Sequence, residues 1–61
     1  MTEYNKAMAR IAKLNAQVER EEAKSVSLPG TPYNLDEIDY WKDWHLQQAE
    51  RFEELADDFL N

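Results

Sequence analysis

Large apolar residues mark two helical stretches. Tyr4, Ala7, Ile11, Leu14 and Val18 are spaced alternately by three and four, the pattern of a packed helix seam, and Met8 widens the stripe. Thr2 fits an N-cap, and Glu3 suits the positive end of the helix dipole. The next seam position is Glu21, inside Glu19-Arg20-Glu21-Glu22, so the seam is expected to fail there and the last turn to reach solvent or fray. These signals predict a helix over 3–24.

The second stretch repeats the pattern with larger rings. Ile38, Trp41, His45, Gln48, Phe52, Leu55 and Phe59 keep the alternating spacing, and Trp44, Ala49 and Ala56 broaden the face. Asn34-Leu35-Asp36-Glu37 fits a capping box, with Tyr33 and Ile38 placed as a hydrophobic staple. No Gly or Pro interrupts the run, which predicts a helix over 34–60, roughly 39 Å long at ~1.5 Å per residue. Ile38, Trp41, Phe52, Leu55 and Phe59 are expected in the core.

Between the helices, 25–33 reads as a loop. Leu28-Pro29-Gly30-Thr31 matches a type II turn, with Gly where φ must be positive, and Val26 and Leu28 are expected to fold over the end of the core. Two helices across one turn region give an all-α antiparallel hairpin, with 1–61 as a single domain.

Charge separates the two halves and supports that topology. Residues 26–61 carry nine acids against Lys42 and Arg51, while residues 1–25 carry five bases against four acids. Antiparallel pairing is expected to set Lys6, Arg10 and Lys13 beside Glu50, Glu53, Glu54, Asp57 and Asp58. Those acids crowd a helix C-terminus, where the dipole disfavours them.

Length then limits what a lone hairpin does. A 61-residue chain buries little core, and small scaffolds usually add disulfides, a metal or an oligomer. With no cysteine and one histidine, neither a disulfide, a thiolate site nor a nitrogen-rich metal site within one chain is available. Two helices meet along one line and leave Trp41, Trp44, Phe52 and Phe59 incompletely covered. A homodimer forming a four-helix bundle is therefore expected.

No segment reaches the ~20 apolar residues of a membrane span, and no signal-peptide core is visible, so the expected location is cytoplasmic with no membrane partner. The sequence shows no Gly-rich phosphate loop and no nucleophile–base spacing, so it predicts no enzyme, no catalytic residue, no cofactor and no metal. His45 reads either as a pH-sensitive group or as a polar seam residue that fixes register.

The expected contact is with protein. Tyr40, Asp43, Trp44, Leu46 and Glu50 set aromatic and aliphatic anchors among acids, which suits a basic, grooved partner surface. The alternative is RNA binding through Lys6, Arg10 and Lys13 on the first helix. That plan resembles the Rop-type RNA-binding hairpin dimer in length, helix number and acidic second half, although the 25–33 segment replaces a tight turn. Net acidity makes nucleic acid the less expected partner.

In its small size, acidity, lack of cysteine and 1–24/34–60 helical plan, the chain also resembles the small early proteins of the exo–xis region of lambdoid phages. That resemblance implies a non-catalytic regulatory protein in the host bacterial cytoplasm. It would act on host replication or the lysis–lysogeny decision through contacts with host proteins.

Overall fold

The structure, a computed structural model, describes residues 2–61. It consists of α1 (Glu3–Ser25) and α2 (Leu35–Leu60), packed against each other as a hairpin. Each boundary has a local cause. The Thr2 hydroxyl accepts from the Asn5 amide at 3.0 Å, satisfying a first-turn donor of α1. At its far end α1 continues through Ser25, whose hydroxyl donates to the Glu22 carbonyl at 2.8 Å. The Thr31 amide donates to the Leu28 carbonyl at 3.1 Å, and Gly30 takes φ +88°, closing the turn between the helices. The capping box of α2 is complete. Asn34 Oδ1 accepts from the Glu37 amide at 2.9 Å, and Glu37 Oε1 accepts from the Asn34 amide at 3.1 Å.

The helices meet along a line of small residues. Ala9, Ala12, Ala16 and Ala23 are the buried residues of α1, and Ala49 and Ala56 those of α2. Ala9, Ala16 and Ala23 recur every seven residues, as do Ala49 and Ala56, so each pair returns to the same side of its helix. A methyl side chain lets the backbones approach closely. Near the open end, Ala9 and Ala12 pack with Ala56 beneath Phe59 and Leu60.

This seam corrects the expected one. Tyr4, Ala7, Ile11, Leu14 and Val18 are all exposed. Leu14 and Val18 each stand two residues from Ala16, about 160° around the helix. Both stripes have helical spacing, and the helices close on the one whose side chains keep them nearest. On α2, Ala49 and Ala56, which broaden the expected face, are the buried members; Leu55 is exposed, and Ile38, Trp41, Phe52 and Phe59 are partly buried. Glu19, expected near a solvent-facing last turn, lies in the seam facing His45. Val26 is buried over the loop end as expected, whereas Leu28 stays exposed.

The result is a slab one helix thick, with Cα extents of 45 × 15 × 9 Å. Its radius of gyration is 14.2 Å, against about 10.5 Å for a compact domain of this length. Nothing larger than Val26 is buried among the described residues, although the chain has seven aromatic side chains. The slab positions side chains on two broad faces and two edges, and it encloses no interior of its own.

Candidate functional site

The two faces of the slab differ in chemistry. On one, α1 presents Tyr4, Met8 and Ile11, with Val18 at the outer margin, and α2 presents Trp41, Trp44, Phe52, Leu55 and Phe59. Stepping ~100° per residue from the alanine seam puts these residues on one side, and the Tyr4 and Phe59 rings confirm the alignment by meeting edge to face at 6.5 Å. Exposure on this face is large for apolar groups: Tyr4 67 %, Ile11 49 %, Val18 53 %, Leu55 43 % and Trp44 40 %. The large-residue stripe of α1 therefore lines a surface of the hairpin, while that of α2 borders the seam, with Phe59 packed on Ala9, Ala12 and Ala56 and His45 meeting Glu19.

The opposite face is charged. Lys13, Gln17, Arg20, Glu21 and Lys24 of α1 line a shallow groove with Glu53 and Asp57 of α2, and Arg20 pairs with Glu53 across the helices. Of the three bases expected to meet the acids of α2, Lys13 shares this groove; Lys6 instead reaches Glu3 of its own helix at 3.4 Å. Lys24 pairs with Glu21, also within α1. Lys6, Arg10 and Lys13 are exposed. They lie on the side of α1 that Glu53 and Asp57 border, and these carboxylates oppose the approach of a phosphate backbone.

The expected protein contact is split around α2. Tyr40, Asp43, Trp44, Leu46 and Glu50 are all exposed. Trp44 and Leu46 are two residues apart and so about 160° apart on the helix. Trp44 belongs to the margin of the apolar face and Tyr40 to the outer edge, within a chain of edge-to-face rings: Tyr40–Trp41 at 5.1 Å, Trp41–Trp44 at 5.9 Å and Trp44–His45 at 5.0 Å. Leu46 lies toward the charged face. Asp43 and Glu50 occupy the outer edge between them, and Asp43 accepts from Gln47 at 2.7 Å.

One constellation was not legible in the sequence. His45 Nδ1 lies 2.9 Å from Glu19 Oε2 and 3.3 Å from Glu22 Oε2. The His45 and Glu19 side chains are mostly buried, while that of Glu22 is half exposed. The Glu19-x-x-Glu22 spacing puts two carboxylates on one side of α1, and nothing in that spacing points to His45. Their meeting with His45 depends on a register set by the alanines, and the large-residue stripe gave a different one. With its proton on Nδ1, the imidazole donates to Glu19 and joins the two helices at mid-seam.

No family model matches the chain, and comparison with curated proteins and with solved structures finds no significant match. No helix among the described residues is long and apolar enough to cross a membrane.

Proposed function

We propose that this hairpin is a non-catalytic interaction protein. Its apolar face takes a second copy to form a four-helix bundle, and the acidic outer edge of α2 takes a host protein with a basic surface. The observation that carries the reading is the set of uncovered large apolar side chains on one face, while the hairpin's own seam is alanine. A bundle helix needs two lines of contact, one to its hairpin neighbour and one to the facing layer. Here the alanines supply the first, and the stripe through Ile11, Phe52 and Leu55 supplies the second.

Size agrees with this arrangement. The 45 × 15 Å extents give a face of roughly 700 Å², close to the ~800 Å² that each partner buries in a stable interface. A second slab laid on the first would bury that face and leave both charged faces in water. The outer edges of α2 also stay free, with Tyr40, Asp43 and Glu50 accessible and Trp44 and Leu46 at their margins. A cationic groove that straddles this edge would receive an aromatic anchor on one side and Leu46 on the other, with acids between them.

Affinity capture from a bacterial lysate tests the contact. The wild-type chain is expected to retain a partner with a basic surface, and Trp44→Ala with Leu46→Ala is expected to lose it while circular dichroism shows unchanged helicity. Equal capture by both chains would contradict the assignment.

A further inference from the structure

We propose that Glu19, Glu22 and His45 form a binding site for a divalent transition-metal ion, with zinc as the best-suited example. The three side chains come from both helices and converge: all three candidate ligand atoms lie within 4.8 Å of one another. Zinc holds nitrogen and oxygen ligands at about 2.0–2.2 Å, which in a tetrahedron separates them by roughly 3.3–3.5 Å. The His45–Glu22 distance of 3.3 Å already meets that requirement, and the His45–Glu19 distance of 2.9 Å is slightly short of it. The half-exposed Glu22 carboxylate has the freedom to complete the set.

Charge points the same way. Two carboxylates face one imidazole, so the cluster keeps a negative charge whether or not the ring is protonated. The neighbouring cations of α1 are engaged elsewhere, Arg20 with Glu53 and Lys24 with Glu21. A divalent ion neutralises both carboxylates and takes the Nδ1 lone pair of the tautomer that carries its proton on Nε2, the Nδ1 proton of the metal-free pair being released, and that nitrogen ligand selects zinc over magnesium. Glu22 and His45 also border the groove under the 25–33 loop, together with Thr31 and Tyr33, which leaves an approach for the ion and a place for a water as fourth ligand. Trp41 and Trp44 flank the imidazole, with ring centroids 6.5 and 5.0 Å away, and restrain its orientation. An ion held there ties α1 to α2, in a chain that has no disulfide to do so. The site does not depend on self-association or on a protein partner.

Calorimetric titration of the EDTA-treated, dialysed full chain with zinc chloride tests the proposal, with magnesium chloride as control. The expected result is one zinc per chain, a raised melting temperature and no comparable magnesium binding. Glu22→Gln and His45→Gln, checked for helicity, are expected to weaken zinc binding at least about tenfold, since even loss of an outer-shell group costs about 10–100-fold at metal sites. Glu22→Gln keeps the test decisive if His45→Gln unfolds, because Glu22 is half exposed. Absence of zinc binding, equal binding by folded variants, or binding that occurs only with a zinc-induced rise in mass would each overturn the site.

Discussion

Ala16 has no exposed surface and sits in the seam between the two helices. A larger side chain there has no space without separating the backbones, and overpacking of this kind typically costs about 1–3 kcal/mol. Ala16→Leu is therefore expected to lower the urea midpoint of unfolding by a corresponding amount, whereas the reverse exchange Leu14→Ala, on the outer edge of the same helix, is expected to stay within about 0.5 kcal/mol. If Leu14→Ala proved the more damaging, the packed seam would be the large-residue stripe after all. Small residues decide the contact because what matters along the seam is the distance between helix axes. Apolar area alone would have favoured Ile11, Leu14 and Val18.

The two helices owe their limits to different residues. Asn34 and Glu37 satisfy each other's backbone amides at the start of α2, where Asp36 and Glu37 also meet the positive end of the dipole. Asn34→Ala is expected to cost about 1 kcal/mol in unfolding free energy, measured by denaturant titration, with partial fraying of the first turn. A change of a few tenths or less would mean that tertiary packing, not the cap, sets this boundary. These local features were legible in the sequence because they depend on neighbours within four residues: Thr2, Asn34, Gly30 and the uninterrupted run to Leu60 act through short-range geometry. The seam was not legible in the same way, since Ala9-Ala12-Ala16-Ala23 and Tyr4-Ile11-Leu14-Val18 have the same period and only assembly selects between them. The Glu19–His45 contact was lost with that choice, and so was the division of Trp44 and Leu46 onto opposite margins of α2.

At the scale of the molecule, the hairpin has an uneven surface. One face carries Arg20, Glu53 and their charged neighbours, and the other carries exposed rings and aliphatic chains. The accessible area is 4688 Å², against about 4,100 Å² for a compact monomer of 7.2 kDa. The excess belongs to a hairpin of a single layer, and the proposed second copy would cover part of it. Stacking two layers through the apolar faces would turn the stripes containing Ile11, Phe52 and Leu55 into the core of a bundle, with net charge helping to keep that bundle soluble. Sedimentation equilibrium at micromolar concentration tests this most directly, on the wild type and on Leu55→Asp, which places a charge on the proposed interface at a side chain that is 43 % exposed in the hairpin. Twice 7.2 kDa is expected for the wild type, with a shift toward 7.2 kDa for the variant. A fully helical wild type that remains at 7.2 kDa across the concentration range would contradict it.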